Sequence, residues 1–181
     1  MGARGYLWLK AAIFALLAWN TTVYVYTGTI SEGIDSVAWL VLLALFELET
    51  GVGAPRRWAA LIHGVRVAAA AAIPVAAIGY FLDREWLDTI NSTLWILVVV
   101  ILELQVRFPV TAAGYRALSG TALAALYTGL GAVAAVWLWN EDWFSAYDAM
   151  LWLLAFVTIE INVLQVLRSS PGAARTAASR T

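Results

Sequence analysis

Residues 91–105 of the chain, NSTLWILVVVILELQ, place a long apolar run between a polar start and a glutamate. The same pattern occurs at 35–49, DSVAWLVLLALFELE, and at 148–162, DAMLWLLAFVTIEIN. Each copy begins with Asp or Asn, has a Trp four residues later and a Glu eight residues after the Trp, and ends on a polar residue. Copies at a nearly constant spacing of 56 or 57 residues indicate a fold assembled from equal units. We therefore predict a threefold internal repeat.

The composition indicates an integral membrane protein. Hydrophobic residues make up 62% of the 181 residues and charged residues 13%, whereas soluble domains have about half apolar and a quarter charged residues. This excludes a soluble enzyme, a disordered regulator and a fibrous protein. The chain has no Cys and a single His, His63, so disulfides, thiolate-bound metals and His-cluster sites are excluded. We expect no cofactor, and the sequence leaves open whether a metal binds.

Six apolar stretches are long enough to cross a hydrocarbon core of about 30 Å, which takes roughly 17–25 helical residues. They cover 6–27, 34–51, 57–80, 87–108, 115–139 and 144–168. Their short connections predict three tandem helical hairpins, at about 6–51, 57–108 and 115–168, around a pseudo-threefold axis along the membrane normal. The predicted fold is an all-α bundle of six transmembrane helices in one domain, 1–168. A flexible cytoplasmic tail, 169–181, follows.

The charges predict the orientation of the bundle. Every basic residue except Arg84 lies near the N-terminus, near the second or fourth connection, or in the C-terminal tail. Acidic residues occupy the first, third and fifth connections. Because Lys and Arg remain on the cytoplasmic side of short loops, both termini are predicted to be cytoplasmic. The expected location is a bacterial-type cytoplasmic (inner) membrane.

Four carboxylates fall within the predicted spans: Glu47, Glu49, Glu103 and Glu160. Each repeat glutamate lies about 12 Å along its helix from the repeat Trp, and a charge deep in a bilayer costs about 3 kcal/mol or more. We expect Glu47, Glu103 and Glu160 to converge on the axis as a central proton or cation site. Glu49 is rotated by about 200° from Glu47, which instead favours contacts with neighbouring helices.

Other positions complete the predicted site. Lys10, Arg66 and His63 are expected to tune it from the cytoplasmic side, and Arg107 lies one helical turn from Glu103. The repeat also contains secondary polar positions and aromatic positions, the latter assigned to an outer aromatic belt. These are Glu49, Gln105 and Asn162, and Trp39, Trp95 and Trp152.

Two classes of function remain open. The first is a small channel or carrier for protons, cations or a small cationic solute. The second is a non-catalytic accessory or assembly subunit of a larger membrane complex, in which the glutamates form structural ion pairs. The chain has no recognisable catalytic motif, so we do not expect an enzyme. The expected partners are the lipid bilayer and either a second copy or other membrane subunits, and not a nucleic acid.

Overall fold

The computed structural model describes residues 3–49, 56–107 and 113–169, with side chains over 5–49, 57–105 and 118–158. In these ranges all regular structure is helical and there is no strand. The helices are α1 (Ala3–Thr27), α2 (Ile30–Glu47), α3 (Ala59–Leu82), α4 (Trp86–Arg107), α5 (Ala113–Trp139) and α6 (Trp143–Ser169), with a 3₁₀ turn at Arg56–Trp58 before α3. The predicted all-helical architecture with six helices is confirmed.

Among the described residues, four helices are long and apolar enough to cross a membrane. The four segments are Gly5–Thr27, Ala59–Leu82, Trp86–Gln105 and Leu118–Trp139. Helix α2 has 18 residues and contains three acidic residues, Glu32, Asp35 and Glu47, so it is not among these four. In α6, the described apolar part is Trp143–Thr158. Membrane crossing by α2 and α6 therefore stays a prediction.

The six helices close into a ring. Each packs against the next in the chain, and α1 also packs against α6. The connections at 28–29, 83–85 and 140–142 lie at one end of the ring, because residues beside all three line a common cavity. We call this the hairpin end, and the opposite end, where α1 begins and α6 finishes, the terminal end.

Two connections at the hairpin end share a backbone conformation. Arg84 and Glu141, 57 residues apart, have φ angles of 63° and 65° and are the described non-glycine residues with positive φ. After each of them, the next backbone N–H reaches back to the preceding helix: Glu85 N donates to Tyr80 O at 2.9 Å, and Asp142 N donates to Trp137 O at 2.9 Å. A left-handed residue that ends a helix in this way satisfies its last carbonyls.

The connection at 28–29 ends differently. Thr29 and Glu32 form a reciprocal capping box at the start of α2, with Thr29 N donating to Glu32 Oε2 at 2.5 Å and Glu32 N donating to Thr29 Oγ1 at 3.3 Å. Such a cap stabilises a helix start by about 1 kcal/mol. It also fixes the Glu32 carboxylate at the hairpin end of the ring.

Tryptophans of the even-numbered helices meet in the interior. Trp39 and Trp95 are 9% and 5% exposed, and the Trp39 ring lies 6.1 Å from that of Trp95 and 6.2 Å from that of Trp152. Phe156 completes this aromatic cluster, with its ring 4.6 Å from Trp95. Their assignment to an outer belt is therefore wrong for the two buried residues, because a bundle interior removes more apolar area from solvent than a rim does. The tryptophans exposed near the hairpin end are Trp86, Trp139 and Trp143.

Helices α2 and α3 approach closely at the hairpin end. A Cβ atom added at Gly79 would overlap Ser31 Oγ, so the absence of a side chain at Gly79 permits this approach. The contact sets the spacing of the two helices beside the cavity described next.

Candidate cation site at the hairpin end

A polar cavity lies at the centre of the hairpin end. Its volume of about 40 Å³ has room for roughly three water molecules, since one water needs about 10–15 Å³ by the same measure. All six helices contribute to its wall. The lining residues are Tyr24, Glu32, Asp35, Ser36, Tyr80, Asp88, Asn91, Trp95, Trp137, Ser145, Asp148, Ala149 and Trp152.

Nine of the thirteen lining residues form three layers whose successive members are 56 or 57 residues apart in the chain. The first layer comes from the last turns of α1, α3 and α5. The second layer comes from the first turns of α2, α4 and α6, and the third layer comes from the next turn of the same three helices. The layers are Tyr24, Tyr80 and Trp137; Glu32, Asp88 and Ser145; and Asp35, Asn91 and Asp148. Sequence positions that align with one another thus surround a single cavity.

Neutral donors orient two of the carboxylates. Asp35 Oδ1 accepts a hydrogen bond from Trp39 Nε1 at 3.1 Å, and its carboxylate also accepts one from the Tyr80 hydroxyl. The spacing of four residues explains the first bond, because it places the indole one helical turn from the carboxylate. An ionised carboxylate has about four acceptor positions, so these two bonds leave acceptor capacity facing the cavity.

Asp148 is held in a similar way. Its Oδ1 accepts a hydrogen bond from Asn20 Nδ2 of α1 at 2.7 Å, and Trp152, four residues later, provides a second bond. Asn20 is 1% exposed, so it ties α1 to α6 in the interior. The repeated Asp–Trp spacing in the sequence therefore corresponds to a repeated carboxylate–indole pair.

The middle copy differs in its hydrogen bonding. Asn91 replaces the Asp, and its Oδ1 is buried with no hydrogen-bond partner among the described residues. Trp95 consequently does not donate to it, unlike the tryptophans of the other two copies. Because buried acceptors in native proteins are nearly always satisfied, this oxygen is a position for a water or a donor cation.

Acidic side chains predominate over basic ones in the wall of the cavity. Glu32, Asp35, Asp88 and Asp148 line it, and none of its described lining side chains is basic. Buried charges are normally paired or bound to a cation, and a recess lined by one sign of charge concentrates counter-ions. The arrangement therefore favours small cations or protons.

The same charge affects the rim, at the 83–85 connection. Burial of its carboxyl group, followed by the nearby charges of Glu32 and Asp83, raises the pKa of Glu85 above its usual value of 4.5. Glu85 Oε2 also has no hydrogen-bond partner among the described residues. The rim therefore repels anions and releases protons less readily than an isolated carboxyl group.

The carboxylates line a volume and do not converge on a point. Among the described residues, no group of three or more His, Cys, Asp or Glu side chains is close enough to hold a metal ion. Divalent cations need several oxygen ligands at 2.0–2.6 Å, so the geometry favours protons, water-bound monovalent cations or a small ammonium group.

Aromatic rings close the cavity towards the terminal end. A second lobe of about 40 Å³ lies between Asp35, Asn91 and Asp148 on one side and the aromatic cluster on the other. Beyond that cluster lies an apolar cavity of about 450 Å³, which shares Trp39, Trp152 and Phe156 with the second lobe. The described part of the bundle therefore contains an acidic compartment and an apolar compartment separated by aromatic rings.

The predicted glutamate site lies towards the terminal end. Glu47, the last residue of α2, forms an ion pair with Lys10 of α1, and these side chains are 18% and 25% exposed. Glu49 pairs with Arg66 at 2.5 Å. Lys10 and Arg66 thus contact carboxylates from neighbouring helices, as structural ion pairs would.

The convergence of the three repeat glutamates stays a prediction. Glu103 is exposed, and the side chain of Glu160 lies outside the described residues, as do those of Arg107 and Asn162. His63 is exposed and Gln105 half-buried.

In the sequence, Asp35, Asn91 and Asp148 mark the start of each repeat copy, and the deeper glutamates are the predicted site. The same alignment also matches Glu32 with Asp88 and Ser145. Together, these two sets of aligned polar positions, one helical turn apart, indicate a ring of polar side chains that the repeat pattern alone could have revealed.

Comparison of the chain with known protein families, curated proteins and solved structures finds no match in any of the three.

Proposed function

We propose that this protein is a small membrane channel or carrier that binds protons, monovalent cations or a small cationic solute in the acidic cavity at its hairpin end. One observation carries the proposal: four carboxylates line a cavity with room for a few water molecules, and its described lining contains no basic residue. Hydrogen bonds from indole, phenol and amide groups orient two of these carboxylates without neutralising them.

The proposed architecture is three tandem hairpins around a pseudo-threefold axis, all six helices crossing the membrane. Three observations support it: the layers of equivalent residues around the cavity, the matching turns at Arg84 and Glu141, and the closed ring of helices. The proposed location is a bacterial-type cytoplasmic membrane with both termini in the cytoplasm, because basic residues concentrate towards the terminal end. The acidic cavity then opens to the exterior.

A carrier fits the interior better than an open pore. The rings of Trp39, Trp95, Trp152 and Phe156 separate the acidic cavity from the rest of the bundle, with ring centroids about 4.6 to 6.5 Å apart. A cation can pass only if these rings move, and such gating is typical of alternating access. Glu47, Glu103 and Glu160 remain the proposed inner site on this path, with Lys10 as the counter-ion of Glu47.

Flux into liposomes tests the proposal. The purified protein is reconstituted, and proton, sodium and potassium fluxes are followed with ion-sensitive dyes. Asp148→Asn removes a charge from the cavity while retaining an oxygen for Asn20, and we expect it to lower the flux at least about tenfold, as expected for loss of a charged hydrogen-bonded site. Asp83→Asn, on the exposed rim, is the matched control and should change the flux little.

Wild-type flux equal to that of empty liposomes, or equal flux in wild type and Asp148→Asn, would refute the proposal. The predicted inner site has its own test, since Glu103→Gln should lower the flux if that glutamate binds the cation. Loss of folding in Glu103→Gln would instead indicate a structural role.

An accessory-subunit function is the second candidate, and the ion pairs favour it. Lys10–Glu47 and Arg66–Glu49 join neighbouring helices, as expected if the span-embedded charges hold the bundle together. This function predicts no flux, together with stable co-purification of other membrane subunits from native membranes.

A further inference from the structure

We propose that the cationic ligand is an amphiphilic primary amine, with its ammonium group in the acidic cavity and its hydrocarbon chain in the apolar cavity beyond the aromatic cluster. This inference rests on the proposed function, because it assigns a chemical class to the ligand of the same cavity. It is motivated by the opposite character of two compartments that share one wall.

The acidic compartment matches a primary ammonium in charge, size and donor number. Its second lobe has a volume of about 40 Å³. This volume holds an –NH₃⁺ group but is too small for a trimethylammonium group. An –NH₃⁺ group has three donors, and the lobe offers three acceptor groups: the carboxylates of Asp35 and Asp148 and the unpartnered Oδ1 of Asn91. The neighbouring Trp rings add cation–π attraction.

The apolar compartment matches a hydrocarbon chain. Its volume of about 450 Å³ is within the range of about 300–1,000 Å³ found for small-molecule sites, and its lining side chains are aliphatic or aromatic, among them Leu42, Phe46 and Ile96. A cavity without polar partners remains dry. Hydrocarbon is the occupant whose transfer from water into such a space is favourable.

The compartment is accessible from the face that α3 and α4 present to their surroundings. Ala70 and Pro74 of α3, and Val99 and Val100 of α4, line it and are exposed. In a bilayer this face meets lipid chains, so an amphiphile dissolved in the membrane can insert its chain sideways between the two helices.

Phe156 is the part of the shared wall that can move. Trp39 and Trp152 are anchored through hydrogen bonds to Asp35 and Asp148, whereas the half-buried phenyl ring of Phe156 has no polar atom to anchor it. A change of the Phe156 rotamer would join the compartments and let one molecule occupy both.

Binding measurements on the intact protein in nanodiscs of zwitterionic lipid test the inference. The probes are methylammonium, n-butylammonium, n-octylammonium and octyltrimethylammonium, and binding is measured by equilibrium dialysis with empty nanodiscs subtracted. Each buried methylene should tighten binding roughly fourfold. Octylammonium should therefore bind about 250-fold more tightly than butylammonium if all four extra methylenes are buried, and at least about tenfold more tightly if two are buried. Octyltrimethylammonium should bind more weakly than octylammonium, because its head is too large and has no donors.

Matched variants locate the chain. Ala70→Phe fills the mouth of the apolar cavity and should weaken octylammonium binding while leaving methylammonium binding unchanged. Ala71→Phe, at the next exposed position and outside the lining, should change neither. If Ala70→Phe does not fold, Val100→Phe replaces it.

The outcomes separate this inference from the proposed function. Methylammonium binding without any gain from a longer chain overturns the inference and preserves the cation site. A chain-length gain that survives filling of the cavity also overturns it, because the chain then binds elsewhere. Absence of binding by any probe overturns the inference, and the liposome flux then decides the proposed function separately.

Discussion

The carboxylate–indole pair of the repeat can be tested by removing one donor. Trp39→Phe deletes the Nε1–H that donates to Asp35 Oδ1 at 3.1 Å and retains most of the aromatic contact. Hydrogen bonds to charged groups contribute about 1.5–3 kcal/mol, and typical hydrogen bonds about 0.5–1.5 kcal/mol. Because Asp35 retains its bond from Tyr80, we expect the lost bond to cost about 1–2 kcal/mol.

Trp95→Phe is the matched control, because it removes the same atoms from an equally buried ring of the aromatic cluster. The amide at the corresponding position, Asn91, accepts no hydrogen bond at Oδ1 among the described residues, so no such bond is lost. The free energy of unfolding of both variants is measured by titration with a denaturing detergent in mixed micelles. We expect Trp95→Phe to be more stable than Trp39→Phe by about 1–2 kcal/mol. This difference in the free energy of unfolding measures the contribution of the hydrogen bond to the Asp35 carboxylate.

Equal destabilisation by the two substitutions would refute this reasoning. The Asp–Trp spacing would then reflect aromatic packing alone, and the orientation of the Asp35 carboxylate would need another cause.

Three further predictions follow from local geometry. Gly79→Ala should destabilise the protein by about 1–3 kcal/mol in thermal unfolding, because the added Cβ atom would overlap Ser31 of α2. Gly64→Ala is the control: a Cβ atom there has no neighbour within 4 Å, so this variant should be neutral or stabilising in that assay. Glu85→Gln should raise the free energy of unfolding above about pH 5 and leave it unchanged below about pH 4. The reason is that the pKa of Glu85 is raised in the folded protein, so the wild type loses stability as the pH rises and Glu85 ionises. A difference between variant and wild type that stays constant across a pH series of unfolding measurements would contradict this. Lys10→Met should cost about 1–3 kcal/mol by leaving Glu47 unpaired, and Lys10→Met combined with Glu47→Gln should recover at least half of that loss in a double-mutant cycle; purely additive losses would mean that the pair contributes nothing.

The fold could be predicted largely from the sequence because the relevant signals are local and strong. Long apolar runs separated by short polar connections permit little other than antiparallel helices, and six helices are observed. Turn geometry was less accessible, since neither Arg84 nor Glu141 is a residue type that signals a left-handed conformation.

The candidate site was harder to predict. From the sequence, the carboxylates in the predicted spans can be compared only by their predicted depth in the membrane. That comparison singles out Glu47, Glu103 and Glu160. Depth does not reveal whether a neighbouring helix supplies a counter-ion, and Lys10 lies 37 residues from Glu47 in the chain. Asp35 and Asp148, by contrast, looked like residues of helix ends, and their enclosure depends on Tyr80 and Asn20 from other helices.

Composition, charge distribution and the repeated pattern by themselves predicted an all-helical membrane protein with equivalent acidic and aromatic positions in three segments, and the all-helical architecture is confirmed. Tertiary structure alone decided that Asp35, Asn91 and Asp148 surround one cavity, that none of its described lining side chains is basic, and that aromatic rings divide it from an apolar compartment. The physical reason is that helix formation and membrane partitioning depend on residues near one another in the chain. The environment of a buried charge depends on side chains that only the closed ring of helices brings together.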